Sequence, residues 1–482
     1  MKTDRRTFIK IAGIAGTGMI SSCSMSTDTV QRSKNSDPFL HTKKVAEQEH
    51  KQHFNMCGYA APKLDNVRIG VIGIGGRGLG AIKRLLHIEG VEIKALCDKY
   101  QKRVDLAQTV LGEAGLPLAK EYADSEEIWK DLVNSDGLDL IYICTPRGLH
   151  ANIAVQAMET GKHAATEVPA LSTLEEGWQL VETSEKTRKH CMMLENCCYD
   201  FFELLILNMV RQGLFGEIIH ADGGYIHYQL EMNFKKRPSP DMWRLRESQR
   251  RNANLYPTHG LGPICQVMNI NRGDRMEFLT STASNDFQMG IKAAELAQKD
   301  DFYQEFDTHS YRGNMNTTVI KTENGKTIML QYDITSPRPY TRIQRISGTK
   351  GMSLKYPGPP RIALEHKWLD EEQMKEIGEK YTVEIVKRVG LLAKKIGGHG
   401  GMDFLMDWRL IDCLRNGLPV EQDVYDAAAW SSIIPLSEWS VANGSNSIKI
   451  PDFTCGSYKT NIPLDITMSK GGNTSVRPLP VS

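Results

Sequence analysis

A glycine-rich turn between an apolar run and an amphipathic stretch carries the clearest chemical signal in the sequence. The turn reads Gly73-Ile74-Gly75-Gly76-Arg77-Gly78. Its glycines permit a tight bend and close approach to a pyrophosphate, whose charge the N-terminus of the following helix meets. Asp98 lies 20 residues after Gly78, at the end of the next predicted strand, where a carboxylate can accept hydrogen bonds from a ribose. The pattern predicts a dinucleotide site.

The choice between the two nicotinamide dinucleotides follows from charge. The Asp98 carboxylate repels a 2′-phosphate, so the sequence favours NAD over NADP. Arg77 is a cation inside the turn that could accommodate such a phosphate, which leaves NADP as the alternative.

A second candidate for chemistry is the segment Tyr256-Pro257-Thr258-His259. An imidazole has an unperturbed pKa of about 6.5, which suits a general base. Tyr256 precedes His259 by three residues, so on a helix the two side chains share one face and could address one substrate ring. Pro257 suits the first turn of such a helix. The segment predicts a proton-transfer pair, and the alternative is a structural Tyr–His pair packed at a helix start.

The elements that must position these residues alternate from Asn66 to about Lys189. Predicted strands cover Val67–Ile72, Val91–Cys97, Leu140–Cys144 and His163–Thr166, and predicted helices cover Leu79–His87, Tyr100–Leu111 and Asn152–Thr160. Strands that alternate with helices imply parallel βαβ units with helices on both faces. We therefore expect an α/β fold whose N-terminal Rossmann domain, residues 65–195, is a doubly wound parallel sheet.

The pattern changes after about residue 195. A predicted helix, Phe202–Gln212, is followed by period-two stretches at Ile218–Tyr228, Thr317–Lys321, Thr327–Ile334 and Thr341–Ile346. These predict an α+β substrate domain, residues 196–440, with an open, mostly antiparallel sheet. The stretch Lys395–Gly401 reads as a loop around His399, and Met402–Asn416 reads as a helix. Residues 441–482 form a C-terminal segment that either covers a neighbouring molecule or seals the sheet.

Composition excludes several classes of protein. The 482 residues carry 59 Lys and Arg against 58 Asp and Glu, so the chain lacks the basic excess typical of nucleic-acid binding. Hydrophobic residues make up 40%, and the only long apolar run is at the N-terminus, which excludes disordered and polytopic membrane proteins. The sequence has no His-Glu-x-x-His, no paired cysteine spacing and no Asp-rich loop, so we expect no metal site.

The first 23 residues read as a targeting segment. Asp4-Arg5-Arg6-Thr7-Phe8 resembles a twin-arginine signal, and Ile20-Ser21-Ser22-Cys23 resembles a lipobox whose cysteine becomes lipidated. Residues 24–64 are polar and read as a tether running into a docking segment. We expect export in the folded state with the cofactor bound, to the periplasm, with a lipid anchor at Cys23.

Two further motifs carry a family resemblance. Cys144-Thr145-Pro146-Arg147-Gly148-Leu149-His150 and Thr166-Glu167-Val168-Pro169-Ala170 each follow a predicted strand. With the glycine turn, they resemble the Gfo/Idh/MocA oxidoreductase superfamily, which acts on sugars and inositols. Dehydrogenases of that superfamily usually have a lysine where this chain has Val168, and an aspartate that is absent from the stretch Asn254–Gly262. The usual proton relay is therefore missing.

At the positions where the sequence departs from those dehydrogenases, it resembles glycoside hydrolase family 109. The residues that carry the resemblance are Glu167-Val168-Pro169, Glu195-Asn196-Cys197-Cys198-Tyr199, Trp243-Arg244 and Tyr256-Pro257-Thr258-His259. The resemblance implies an NAD-dependent α-N-acetylgalactosaminidase. In the implied mechanism NAD+ takes a hydride from sugar C3, a base removes the acidified C2 proton, the glycosidic oxygen leaves, water adds, and the hydride returns with retained configuration.

The resemblance also implies which residues form the site. Substrate contacts are implied for Tyr225, Arg244, Tyr256, His259 and Tyr340, with His259 and Tyr256 catalytic. Cofactor contacts are implied for Gly73, Gly75, Gly76, Arg77, Gly78, Asp98, Arg147, Gly148, Leu149, His150, Glu167, Val168 and Asn196. Whether His259, Tyr256 or Glu167 is the base stays open, as does whether Glu167 orients the nicotinamide or the sugar. His399 is a further candidate for the pocket.

Two other functions fit the same sequence. A sugar or inositol dehydrogenase or epimerase of the superfamily would keep the fold and cofactor but change the net reaction. A non-catalytic sugar-binding lipoprotein would keep the nucleotide domain as a scaffold. Under the first interpretation the partners are glycans ending in α-N-acetylgalactosamine. Homo-oligomers are common in the superfamily, so the resemblance implies one here.

Overall fold

A six-stranded parallel sheet forms the first part of the fold. The computed structural model describes residues 38–236, 241–308, 310–463, 465–466 and 468–477, so the predicted signal and the start of the tether lie outside the described residues. The strands are β1 (Val67–Ile72), β2 (Val91–Asp98), β3 (Lys120–Ala123), β4 (Leu140–Ile143), β5 (His163–Thr166) and β6 (Cys191–Met193). Their order is β3-β2-β1-β4-β5-β6, and every neighbouring pair is parallel.

Helices alternate with the strands of this sheet, and its central strands β4 and β5 are buried along their whole length, whereas the edge strand β3 is mostly exposed. The helices are α1 (Pro38–Glu47), α2 (Gly76–Leu85), α3 (Gln101–Glu113), α4 (Trp129–Asn134), α5 (His150–Glu159) and α6 (Leu174–Thr187). All four residues of β4 are buried, as expected for a strand covered on both faces. The strand order reverses between β1 and β4, which is where such sheets bind ligands at the carboxyl ends of their strands.

A nine-stranded sheet forms the second part. Its strands are β7 (Ile218–Ile226), β8 (Met276–Ala283), β9 (Asn316–Thr322), β10 (Thr327–Asp333), β11 (Arg345–Gly348), β12 (Gly351–Leu354), β13 (Arg361–Leu364), β14 (Lys367–Trp368) and β15 (Ile448–Lys449). The order is β14-β13-β12-β11-β7-β10-β9-β8-β15. Only the pair β7–β10 is parallel within the described sheet, so the predicted mostly antiparallel character is confirmed.

The helices of this second part pack on the sheet and reach back to the first. They are α7 (Phe201–Arg211), α8 (Leu230–Asn233), α9 (Trp243–Arg250), α10 (Thr258–Met268), α11 (Met289–Ala297), α12 (Glu371–Tyr381), α13 (Glu384–Ile396), α14 (Met402–Asn416), α15 (Val424–Ser431) and α16 (Ile433–Ala442). Helix α14 contacts α2 and β1, and α15 contacts α6 and β6. One continuous hydrophobic core therefore includes residues from both sheets.

Several predicted boundaries are wrong for local reasons. Helix α2 begins at Gly76 and includes the last part of the glycine turn, whereas the sequence placed its start at Leu79. The stretch predicted as a strand at Thr341–Ile346 pairs continuously only from Arg345, because Ile343 and Gln344 have positive φ angles of 63° and 48°. The loop predicted to start at Lys395 starts two residues later, at Gly397, since α13 continues to Ile396.

The segments at both ends of the folded part pack on their own chain. In α1, Val45 and Ala46 are buried, and the helix contacts α16. Strand β15 adds an edge to the nine-stranded sheet beside β8, and Val476 forms a bridge with Ile88 near the parallel sheet. Among the described residues, no helix has both the length and the apolar character needed to span a bilayer.

Candidate active site

The glycine turn has the geometry that a pyrophosphate requires. Gly73 has φ +91°, and a Cβ there would lie 2.6 Å from the backbone carbon of Cys144 on the neighbouring strand end. A Cβ on Gly78 would overlap the carbonyl oxygen of Gly73. A Cβ on Gly75 or Gly76 would meet nothing within 4 Å, and no side chain caps the N-terminus of α2. Two glycines thus hold the turn tightly, and two leave its outer side open for phosphate oxygens.

Asp98 ties this turn to the end of β2. Its carboxylate, 5% exposed, accepts hydrogen bonds from the backbone N–H of Ile74 at 2.7 Å and of Tyr100 at 3.0 Å. Arg103 lies 3.3 Å from both carboxylate oxygens. Because two carboxylate oxygens offer about four acceptor positions, the group can also accept from a ribose. Asp98 therefore both shapes the turn and remains suited to the predicted contact.

Arg77 points away from that carboxylate into a network of acids. Its guanidinium donates to Glu167 at 2.9 Å and to Asp403 at 2.8 Å. Asn196 donates its amide N–H to the other oxygen of Asp403, and His399 Nδ1 lies 2.8 Å from Asp403. The network brings together three predicted cofactor residues and His399 around one acid, so Arg77 is committed to carboxylates rather than free for a 2′-phosphate.

Asp403 was missed by the sequence analysis, although it holds this network together. Burial alone would raise its pKa, but the hydrogen bond from His399 and the charges of Arg77 and Arg84 hold the pKa of Asp403 well below its usual range. The only sequence signal was its place directly after a glycine-rich loop, at the start of a predicted helix. An acid in that position also reads as an ordinary N-terminal helix residue.

Arg147 and His150, both in the motif Cys144–His150, connect that motif to neighbouring segments of the chain. Arg147 donates to the carbonyl of Leu255 at 2.7 Å and forms an ion pair with Glu247 at 2.9 Å. The ring nitrogens of His150 each lie 2.8 Å from a backbone carbonyl, those of Thr145 and Pro169. The His150 ring thus holds the two motif loops side by side. Between these residues, Gly148 and Leu149 form one short 3₁₀ turn, and a Cβ on Gly148 would meet nothing within 4 Å.

An aromatic cluster lies at the start of α10. The ring centroids of Tyr225 and Tyr256 are 4.8 Å apart, and those of Tyr256 and His259 are also 4.8 Å apart. Tyr225 lies 5.5 Å from His259 and 6.4 Å from Tyr340, and its hydroxyl lies 3.1 Å from His227 Nδ1. Four of the five predicted substrate contacts therefore form one cluster, to which the structure adds His227.

The prediction that Tyr256 and His259 share one face of a helix is wrong. Helix α10 begins at Thr258, and Pro257 is its N-cap, so Tyr256 precedes the helix. The two rings meet at the start of the helix, where Tyr225 on β7 packs against both. Arg147 also lies over the Tyr256 ring, with 5.7 Å between its guanidinium carbon and the ring centroid.

Arg244 supplies a positive charge to the same cleft. It is the second residue of α9, after Trp243, and its guanidinium carbon lies 4.1 Å from the centroid of that ring. Among the described residues none forms an ion pair with it, whereas Arg246 pairs with Glu305 and Arg251 with Glu438. Arg244 is exposed, so water can solvate its charge, and the guanidinium interacts electrostatically with Tyr256 and Tyr225.

Behind the aromatic cluster lies Glu195, a second residue that the sequence analysis left out of the site. Its Oε1 is 2.6 Å from His259 Nδ1, and Glu195 is 0% exposed. The sequence did mark Glu195 as the first residue of the Glu195–Tyr199 motif. Nothing in the spacing of that motif indicated contact with His259, which lies 64 residues away.

Glu195, Cys197 and His259 also place three metal-ligand atoms close together. Arg342 Nη1 lies 2.7 Å from the Cys197 sulfur, and burial raises the pKa of that thiol well above its usual value. A guanidinium beside a protonated thiol disfavours a divalent cation. The expectation that the protein has no metal site stays a prediction.

Two protein families match the chain, one over the part with the parallel sheet and one over the part with the nine-stranded sheet. A model described as "Oxidoreductase family, NAD-binding Rossmann fold" matches residues 67–195, and one described as "Glycosyl hydrolase 109, C-terminal domain" matches residues 199–460. The chain is 44% identical over 476 residues to a glycosyl hydrolase family 109 protein of Shewanella pealeana, covering 97% of this chain and 99% of the relative. A second relative of that family name, from Phocaeicola vulgatus, is 45% identical over 412 residues, covering 84% and 98%.

Solved structures share the fold at low identity. Levoglucosan dehydrogenase in complex with NADH and levoglucosan superposes with a TM-score of 0.60 at 15% identity, covering 80% of this chain and 100% of that one. The likeness confirms the predicted architecture of a Rossmann domain followed by an open sheet. NAD is the cofactor of this chain, as the glycine turn and Asp98 predicted.

Proposed function

The chain belongs to glycosyl hydrolase family 109, and from that premise we propose that it removes terminal α-linked N-acetylgalactosamine from glycans. The route we propose is oxidation at C3, elimination across C1 and C2, addition of water, and reduction, with retained configuration. NAD remains bound through the cycle. The proposal joins the two matched parts of the chain, an NAD-binding domain and a glycosidase domain, in one reaction.

The observation that carries the proposal is the state of two carboxylates that interact with the aromatic cluster, Glu167 with Tyr256 and Glu195 with His259. Ordinary glycosidases place two carboxyl groups on either side of the scissile bond. Here Glu167 is bound by Arg77, and Glu195 lies fully buried behind His259. The groups at the front of the site are phenols and an imidazole. Such a site favours proton transfer at carbon over direct displacement.

The cofactor fits at the carboxyl ends of β1 and β4. Gly73 to Gly78 would hold the pyrophosphate, Asp98 the adenosine ribose, and the segment Arg147–His150 with Glu167, Val168 and Asn196 the nicotinamide side. When bound, NAD supplies the acceptor and later the donor of the hydride at sugar C3. Glu167 faces Arg77 at this edge, which supports a role in orienting the nicotinamide.

His259 is the base in this proposal. Burial raises the pKa of Tyr225 to about 12 and moves the pKa of Tyr256 further above its usual value, so both phenols stay protonated at neutral pH. Glu167 is held by two hydrogen bonds from Arg77. His259, with its side chain 15% exposed, is the remaining group of the three candidates, and an imidazole is the side chain most often used as a general base.

The proton balance of the cleavage step then follows. A ketone at C3 acidifies the C2 proton. His259 takes that proton, the electron pair of the C2–H bond forms the C1=C2 double bond, and the C1–O bond breaks while the leaving oxygen takes up a proton from water. Tyr225 and Tyr256 donate hydrogen bonds to sugar oxygens, and Arg244 stabilises negative charge that develops on them. Water then adds across C1=C2: its oxygen binds C1 and its proton passes to solvent, while protonated His259 returns a proton to C2.

The test is hydrolysis of an aryl α-N-acetylgalactosaminide in deuterated water by the purified protein with NAD bound. We expect release of the aryl group and deuterium at C2 of the sugar, located by mass spectrometry and NMR, with the α-anomer formed first. His259→Gln should abolish release without loss of bound NAD. Release without deuterium would refute the elimination route, and lasting NADH without release would indicate a sugar dehydrogenase or epimerase.

Location and assembly complete the proposal. The twin-arginine segment supports export to the periplasm, and Cys23 supports a lipid anchor. Cys23→Ser should move the protein from the membrane to the soluble periplasmic fraction, and mass spectrometry of the mature N-terminus should show the loss of the acyl groups. A homo-oligomer is expected from native mass spectrometry, and a monomer at micromolar concentration would contradict it.

A further inference from the structure

We propose that Glu195 is a positioning residue that fixes the ring of His259, directs its Nε2 toward the substrate, and stabilises the imidazolium once the proton is taken. This inference rests on the proposed function for its catalytic consequence, but the pairing itself stands on geometry. Glu195 Oε1 lies 2.6 Å from His259 Nδ1, and the carboxylate is fully buried. A buried acid bound to one ring nitrogen leaves the other nitrogen for chemistry.

The fold holds Glu195 from three sides. Gln422 accepts a hydrogen bond from the Glu195 N–H at 2.9 Å and donates one to its carbonyl at 2.9 Å. The Cys197 N–H donates to Oε1 at 3.1 Å. On α10, Gly262 faces the Glu195 side chain, and a Cβ there would lie 2.9 Å from Glu195 Cγ. The glycine in the same helix as His259 thus makes room for the acid that binds it.

The hydrogen bonds to Oε1 determine the tautomer. Oε1 accepts from the Cys197 N–H, so it is an acceptor at that point. His259 Nδ1 must then carry the proton that fills the 2.6 Å contact, and Nε2 of the neutral ring has a free electron pair. This is the form that a general base requires. Burial by itself would raise the pKa of Glu195, but the charge and hydrogen bond of His259 lower it, so the acid is ionised.

Among the titratable groups that the structure describes around His259, Glu195 alone is negatively charged at neutral pH. The others are Cys197 and Cys198 beside it, Tyr225 and His227 on and after β7, and Tyr256 before α10. Burial raises the pKa values of both thiols and both phenols, and burial lowers the pKa of His227, so all five are neutral. The cation Arg342 contacts Cys197. A charge on His259 therefore depends on Glu195 for its compensation.

The test separates charge from position. In Glu195→Gln, the Cys197 N–H selects the amide oxygen, so the hydrogen bond to Nδ1 remains while the negative charge is lost. We expect kcat for the aryl glycoside to fall about 10- to 100-fold, with little change in KM, and the acid limb of the pH–rate profile to move to lower pH. Glu195→Ala removes both effects and should lose more. Glu185→Gln is the matched control, since that buried acid binds Tyr425 and the His53 N–H instead.

A second readout needs no substrate. Long-range ¹H–¹⁵N spectra of histidine-labelled wild-type protein, with the His259 signals identified by their loss in His259→Gln, should show the proton on Nδ1 above the titration of the ring. Glu195→Gln should shift the midpoint of that titration to lower pH. A proton on Nε2, or a midpoint that both Glu195 variants leave unchanged, would overturn the proposal. An inactive wild type that shows the expected spectra would refute the proposed function and keep the pairing.

Discussion

The position of His259 depends on a glycine contact between α10 and β7, and this can be tested by one methyl group. In Gly223→Ala, the new Cβ would lie 2.7 Å from the carbonyl oxygen of Gly260 and 2.9 Å from its carbonyl carbon. It would also lie 2.9 Å from Ile264 Cδ1. Two of these three atoms are backbone, so a side-chain rotation cannot relieve the overlap. The helix itself must move away from the strand.

The size of the effect follows from these distances. Ordinary contact begins at 3.4 Å, so a Cβ at 2.7 Å requires a shift of 0.7 Å. Overpacking of this kind costs about 1–3 kcal/mol of unfolding free energy. Gly260 follows His259, so the base moves relative to Tyr225 by a similar distance. Because a 1 Å misplacement costs about 10²-fold in rate, we expect kcat to fall at least about tenfold.

Urea unfolding and kcat for the aryl glycoside measure the two consequences, and the bound NAD content shows whether the first domain stays intact. Gly112→Ala near the end of α3 is the matched control, because its Cβ would meet nothing within 4 Å. That variant should gain up to about 1 kcal/mol and keep its kcat. A Gly223→Ala protein with unchanged stability and kcat would show that the glycine contact does not position the base.

The remaining predictions concern the cofactor and acid stability. Gly78→Ala should remove bound NAD, because its Cβ would overlap the Gly73 carbonyl oxygen, and protein purified with a full complement of NAD would contradict this. Asp403→Asn removes the charge that holds Arg77, and calorimetry should show NAD binding weakened about tenfold. Burial lowers the pKa of His190 from 6.5 to about 4, so the unfolded chain binds a proton that the folded ring does not. Stability should therefore fall by up to about 3 kcal/mol as pH drops from 6.5 to 4, and His190→Gln should flatten that slope in urea titrations.

The order of the elements was predictable because its signals are local. The glycine turn, the apolar strands and the period-two stretches each lie within a few residues, so β1, β2, β5 and α14 appear where the sequence placed them. Strands β3 and β6 were missed, because β3 is a mostly polar, exposed edge strand without an apolar run and β6 has only three residues. Strand β8 was missed although it has eight residues, and its pairing with β9 and β15 defines it.

The sequence by itself determined the dinucleotide turn, the two-sheet architecture and the resemblance that named most of the site residues. Only the tertiary structure decided that Glu195 binds His259, that Asp403 gathers Arg77 and Asn196, and that Tyr256 meets His259 from outside the helix. The reason is the separation along the chain. A turn is set by neighbouring backbone angles, whereas the acid that binds a base is chosen by packing between residues 64 apart, and the amide that fixes that acid lies 227 residues away.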